Sequence, residues 1–250
     1  MNRFVAALVL AVVVTACSTP SSVPATGDFG GGESGFEPAG SKVNLFVANR
    51  EDVLEYTRRG HLVRTTPLGK YAPAGAIAFD KSGNLYAVSD YFAASVFAPK
   101  SRALVRTITD GMFEPLALAV DRSDNLYVAN GSNGYNGNIA IYPPGSATAS
   151  RTITDGIYDP ESLAFDSSGN LYVANNANGT ATVYAPRIRK LLRTISKEVG
   201  APWVVAVDYN DNLYLGSFGS TDKIGIYPPG HAVPARTIAS FALSLGVGPP

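Results

Sequence analysis

From about residue 44 onward, short apolar segments of five or six residues alternate with clusters of Gly, Asn, Asp and Pro. The stretch "DNLYVANGSNGYNGNIAIYPPG", Asp124–Gly145, shows the pattern. Within "NLYVAN", Tyr and Val take alternate positions, so apolar groups fall on both faces of a period-two segment. Period two is the period of a strand, and a strand apolar on both faces is sandwiched between other layers. The front half of the stretch returns as "GNLYVANNANGTATVYAPR", Gly169–Arg187.

That recurrence extends along the chain. "NL" followed by an aromatic starts at Asn44, Asn84, Asn125, Asn170 and Asn212, at spacings of 40, 41, 45 and 42. Arg-Thr recurs at Arg64, Arg106, Arg151, Arg193 and Arg236. A segment like "SLAFD" precedes the NL unit, ending at Asp80, Asp121, Asp166 and Asp208, and "SVFAP", "IAIYPPG", "TVYAP" and "IGIYPPG" follow it. The unit therefore parses into four strands: A (LAFD), B (NLYVAN), C (TVYAP) and D (RTI). The A–B turn, "DSSGN" in one copy, supplies the residues a short hairpin needs at positive φ. Four short strands at a period near 42 predict an all-β protein, a β-propeller of four-stranded antiparallel blades.

Residues 42–250 accommodate five such units. The first lacks a strand A, and the tail segment "LSLGV", Leu243–Val247, resembles "LALAV", Leu116–Val120. The tail is expected to supply that strand and close the ring, which removes exposed sheet edges and favours a monomer. The alternative is an incomplete six-bladed ring, because Pro249 falls where a sixth unit would begin.

The repeat "LAFDSSGNLYVAN…TVYAP" and its copies resemble the NHL-repeat and SMP-30/gluconolactonase-like propeller superfamily. The resemblance implies the fold over roughly 205 of the 250 residues. It leaves activity open, since these propellers include enzymes, binding modules and scaffolds. Five copies depart from the six blades usual there, and strand B mostly ends in Asn where that superfamily often has Asp.

The N-terminus reads differently. "MNRF" is followed by the ten-residue apolar run "VAALVLAVVV" and by "VTAC", ending at Cys17. The run is short for a membrane-spanning helix, and the stretch resembles a bacterial lipoprotein signal in which Cys17 receives lipid. An ordinary secretory signal is the other reading. Cys17 is the only cysteine, so no intrachain disulfide forms. Residues 1–17 are read as signal and lipobox, 18–41 as a Ser/Gly/Pro-rich tether, and 42–250 as the propeller. The expected location is the bacterial cell envelope, extracytoplasmic and held to the membrane by the lipid. Ser18 resembles outer-membrane sorting if the cell has two membranes.

Twenty basic and twenty acidic residues give zero net charge, which argues against a nucleic-acid partner held by bulk electrostatics. The only histidines, His61 and His231, fall in C–D turns at the outer rim, far from the axis. No nucleophile elbow, phosphate loop or Cys/His metal spacing occurs, and no catalytic residue is assigned. Asp80, Asp121, Asp166 and Asp208 end the inner strands. They are read as caps of the A–B turns, the alternative being a cation such as Ca²⁺ held at a channel mouth. No cofactor is expected. The once-per-unit aromatics (Tyr86, Phe97, Tyr127, Tyr142, Tyr172, Tyr184, Tyr214, Tyr227) are read as packing between blades, and the Arg of "RTI" as a charge protecting the outer edge.

The candidate binding face is the end carrying the B–C loops and D–A links, where the repeats differ most. It offers Tyr91, Phe92, Phe113, Asn130, Asn133, Tyr135, Asn136, Tyr158, Asn175, Asn178 and Trp203, with Glu114, Asp159 and Glu161 on the links. Aromatics supply area and amides supply direction, which suits a glycan, peptide or protein ligand. The functions weighed are a non-catalytic binding module, a metal-dependent lactonase, hydrolase or lyase of the SMP-30-like type, and a purely structural scaffold.

Overall fold

In the computed structural model, the described residues are 45–48, 51–57, 61–68, 76–131, 136–186, 190–196, 200–217 and 223–239, with the backbone of Ala11–Val14. Five four-stranded antiparallel sheets account for them. The first contains β1 (Ala11–Val14), β2 (Leu45–Ala48), β3 (Asp52–Tyr56) and β4 (Leu62–Pro67). The second contains β5 (Ile77–Phe79), β6 (Leu85–Asp90), β7 (Ala93–Phe97) and β8 (Leu104–Ile108). The third contains β9 (Pro115–Val120), β10 (Leu126–Asn130), β11 (Asn138–Tyr142) and β12 (Arg151–Ile153). The fourth contains β13 (Pro160–Phe165), β14 (Leu171–Asn175), β15 (Thr180–Tyr184) and β16 (Leu191–Ile195). The fifth contains β17 (Pro202–Val207), β18 (Leu213–Ser217), β19 (Lys223–Tyr227) and β20 (Arg236–Ala239). Each sheet is ordered as its strands occur in the chain, which makes it a propeller blade.

The blades are held together by apolar layers between neighbours. One cluster joins blades one and two through Phe46, Val53, Leu85 and Phe97. The next joins blades two and three through Tyr86, Val88, Leu126 and Tyr142. Blades three and four share Tyr127, Ile139, Leu171 and Tyr184, and blades four and five share Tyr172, Val183, Leu213 and Tyr227. Strand-B aromatics thus face the next blade and strand-C aromatics the preceding one, as their period of one per repeat requires. Fully burying a side chain of this size contributes about 1.5–3 kcal/mol, so each of these contacts adds to the stability of the stack. Tyr214 has no following blade against it among the described residues and stays part-exposed. No apolar cluster joins blade five to blade one among those residues.

The inner strand of blade one differs from the sequence expectation. β1 pairs with β2 in the register Ala11↔Ala48 to Val14↔Leu45. The β-branched run "AVVV", read from sequence as part of a leader, thus lies where Leu243–Val247 was expected. The physical reason is that a β-branched run such as "AVVV" favours the extended conformation of a strand whatever its place in the chain. Residues 240–250, on which closure by the tail depends, lie outside the described residues.

Register fixes which connections share an end. In blade three, Leu126 pairs with both Val120 and Tyr142, whereas Asn130 lies opposite Pro115 and Asn138. The A–B and C–D turns therefore occupy one end, and the B–C loops and D–A links the other. Leu45, where the propeller chain begins, pairs with Tyr56 and belongs to the first of these ends.

Candidate functional site

The end carrying the B–C loops and D–A links is built by a motif repeated at successive inner strands. In β9, β13 and β17 the chain enters through a proline (Pro115, Pro160, Pro202), and the ladder then slips by one residue. The extra residues are Leu116, Glu161 and Trp203. Each is skipped by the pairing with strand B and is part-buried. A bulge frees a side chain from strict alternation and re-aims it.

The residues before the proline carry the surface. Glu114 and Asp159 adopt left-handed conformations, at φ 43° and 51°, a region uncommon for side chains other than glycine. Each link is clamped around this residue. The Glu114 amide donates to the Tyr91 carbonyl at 2.8 Å, and the Gly131 amide donates to the Glu114 carbonyl at 3.0 Å. In the next blade the Asn176 amide donates to the Asp159 carbonyl at 3.1 Å. The clamping holds Phe113 and Tyr158 outward. Tyr91, Phe92, Phe113 and Tyr158 are 48, 56, 47 and 43% exposed, and the Phe92 and Phe113 rings lie 6.2 Å apart, tilted.

Two expected ligand contacts must be corrected. Asn130 and Asn175 end strand B and are fully buried. The Asn130 Oδ1 accepts from the Phe113 amide at 3.1 Å, and its Nδ2 donates to the Gly111 carbonyl and to Asn138 Oδ1. Asn175 accepts from the Tyr158 amide at 3.1 Å and donates to Thr182 Oγ1. Both amides hold the links in place and have no capacity left for a ligand. Asn136 and Asn178 are exposed, and Asn178 accepts from the Thr180 hydroxyl. Asn133 and Tyr135 lie outside the described residues.

Glu161 is electrostatically the most unusual group at this end. Burial, and then the neighbouring Asp159 carboxylate, push its carboxyl up to about 8. No charged residue occurs in β9, β10, β14 or β17, the strands packed against its own.

The opposite end is occupied by turn chemistry. Asp80, Asp121, Asp166 and Asp208 each accept from the backbone amide of an Asn four residues on, at 2.8–3.0 Å. Each also accepts from that residue's side-chain amide and from the tyrosine hydroxyl six residues on. This is the turn-capping arrangement, repeated in four blades. Burial opposes ionisation of Asp208, but the bonds from Asn212, Tyr214 and Asn210 outweigh it and hold the carboxyl below its ordinary value. Among the described residues no three His, Cys, Asp or Glu side chains converge as metal ligands would. His61 and His231 lie in exposed C–D turns.

Of the "RTI" arginines, Arg151 and Arg236 are exposed on the outer strand, whereas Arg106 departs from the edge reading. The Arg106 guanidinium lies over the Tyr86 ring, 5.9 Å from its centroid, so it packs on strand B rather than guarding an edge. Nε of Arg106 and of Arg193 is buried without a hydrogen-bond partner among the described residues. Grooves of about 500 and 240 Å³ open at this end between blades three and four and blades four and five. Their walls include Asp121, Tyr127 and Arg151 in one, and Asp166, Tyr172 and Arg193 in the other. Both lie between neighbouring blades over the capping residues of the A–B turns.

The bulged position escaped sequence reading because pairing register cannot be seen in one strand. The signal that marks it is a proline six residues before the capping Asp, followed by a side chain that changes from blade to blade: Leu116, Glu161, Trp203.

No protein-family model matches this sequence, and no curated protein matches it. The shape does have solved counterparts. A chain in the crystal structure of a mitotic checkpoint complex superposes with a TM-score of 0.67 at 13% identity, over 80% of this chain. This chain spans 64% of the length of that one. At this identity the likeness establishes the fold alone: the protein is a β-propeller built of repeated blades.

Proposed function

We propose that the protein is a lipid-anchored, extracytoplasmic binding module of the cell envelope. It is non-catalytic and engages its partner with the end that bears the B–C loops and D–A links. The observation that carries this reading is the concentration of exposed aromatic rings there: Tyr91, Phe92, Phe113 and Tyr158 are held outward by clamped links on a rigid scaffold. Exposed aromatic clusters are unusual on a soluble surface and common where partners dock. The NHL-like repeat, the "VTAC" sequence and the polar tether support the assignment to a propeller lipoprotein. The first described strand of the propeller proper begins at Leu45, at the opposite end, so the tether read from the sequence does not enter at the aromatic end.

A second reading, a hydrolase or lyase, rests on one observation: Glu161 is a part-buried carboxyl whose pKa is raised by burial and by the Asp159 carboxylate. The two are separated by screening purified protein against glycan and peptide arrays and against a panel of lactones and esters, each with Glu161→Gln and Phe113→Ala. Array binding lost in Phe113→Ala supports the module. Turnover lost in Glu161→Gln supports the enzyme.

A further inference from the structure

Once the strand-B amides are removed from the ligand-binding inventory, what remains at the aromatic end is rings, carboxylates and the exposed amides of Asn136 and Asn178. Phe113 is followed by Glu114, Tyr158 by Asp159, and the bulge after Pro160 adds Glu161. Asp90 precedes Tyr91 and Phe92, and is exposed. Glu51 and Asp52 lie at the same end of blade one, and Lys223 is the only basic residue there among the described residues. The basic side chains instead gather at the A–B and C–D end, where Arg64, Lys81, Lys100, Arg122, Lys190 and Arg236 are found. Among the described residues the carboxylates of the aromatic end thus meet few cations of their own, whereas at the other end acidic turn caps and basic side chains are mixed. A surface alternating rings and carboxylates selects cations, because ring faces and carboxylates both attract ammonium and guanidinium groups.

Glu161 sharpens the argument. Its carboxyl has neither a hydrogen bond nor a cation as partner among the described residues, and the strands packed against it bring none. The nearest charged residues in the sequence, Asp159, Asp166 and Asp155, are all acidic. The scaffold presents a carboxyl with which none of its described cations pairs; it is protonated near neutral pH in the free protein, and a cation brought by a partner would draw it into its ionised form.

We propose that the end formed by Phe92, Phe113, Tyr158, Glu114, Asp159 and Glu161 binds a lysine- or arginine-bearing polypeptide segment of a partner protein. This rests on the reading of that end as the binding face and specifies the partner's chemistry. A cation seated beside Glu161 favours its ionised form, so binding takes up the partner more tightly as Glu161 loses its proton. Affinity is then expected to rise with pH from 6 to 9 and to fall with salt.

The test titrates full-length protein in detergent with three nonapeptides of equal length, one arginine/lysine-rich, one Gly/Ser-rich and one glutamate-rich, and with a neutral oligosaccharide. Variants are Glu161→Gln, Asp159→Asn and Phe113→Ala, with His231→Ala as the control at the other end. The expected result is saturable binding of the cationic peptide alone, weakened about tenfold or more by each of the first three changes and unaffected by the fourth. The proposal is overturned if the cationic peptide does not bind, or if Glu161→Gln and Asp159→Asn leave its affinity unchanged. Oligosaccharide binding lost in Phe113→Ala but indifferent to the charge variants would overturn the cationic partner while leaving the face intact. Cationic-peptide binding insensitive to all three face variants would overturn the face itself. Sedimentation showing that the chain associates with itself, abolished by the same charge variants, would replace the partner with a second copy.

Discussion

The Tyr142 hydroxyl donates to the Asp110 carbonyl at 2.5 Å, tying strand C of blade three to the link that enters that blade. Tyr184 repeats the bond to the Asp155 carbonyl at 2.6 Å one blade later. The approach is possible because glycine follows each Asp: Gly111 has φ 66°, and a Cβ there would meet the Tyr142 oxygen at 3.2 Å. Tyr142→Phe and Tyr184→Phe keep the ring and remove the hydrogen bond, so each is expected to cost about 0.5–1.5 kcal/mol. Thermal unfolding of both variants checks this, and an unchanged melting temperature would show that the bonds carry nothing.

The same tyrosines set the alkaline limit of the fold. Burial, aided by Asp110, pushes the Tyr142 phenol up to about 12. Burial does the same for Tyr172, with Asp166 adding to it. Burial raises Tyr184 to about 12 as well, the bond from Thr182 opposing and Asp155 assisting. A group with a raised folded-state pKa contributes stability that is present below its unfolded value, about 10, and is lost as pH rises through the folded value. The melting temperature is expected to hold up to about pH 10 and fall steeply between there and 12. Replacing Tyr142 and Tyr184 together by Phe should flatten that fall.

The lipid anchor predicts the behaviour of one substitution. Cys17→Ser should release the protein from the membrane fraction, while the wild type stays bound through a high-salt wash. Persistence of the variant in washed membranes would contradict lipid anchoring.

Processing at Cys17 would also remove Ala11–Val14 and free the inner edge of β2. The tail segment Leu243–Val247 is then expected to take that position. A chain of residues 18–250 should melt well above one of residues 18–242, because losing Leu243, Leu245 and Val247 from an inner strand costs several times about 1.5–3 kcal/mol. Equal melting temperatures would rule the tail out as the closing strand.

Much of this architecture was legible because its causes are local. Period two in "NLYVAN", turn chemistry in "DSSGN" and the spacing of Arg-Thr each report on a few adjacent residues, and the repeat multiplied each signal. The site was less legible because its causes are not local. Asn130 looks like a loop amide in sequence. It is buried because the link bearing Gly111 and Phe113, 17 to 19 residues earlier, folds over it. Arg106 looks like an edge charge until Tyr86, 20 residues earlier, is seen beneath it. The inner strand of blade one is the same kind of case, since two apolar segments at opposite ends of the chain both satisfy its requirements.

The account stands most directly on which end of the propeller meets a partner. A photoreactive amino acid placed singly at Phe92, Tyr158 or His231 in living cells, followed by irradiation, reads that contact in the native envelope. Discrete higher-mass adducts are predicted from the first two positions and none from His231. Adducts from His231 with none from Phe92 or Tyr158 would contradict the assignment of the binding face.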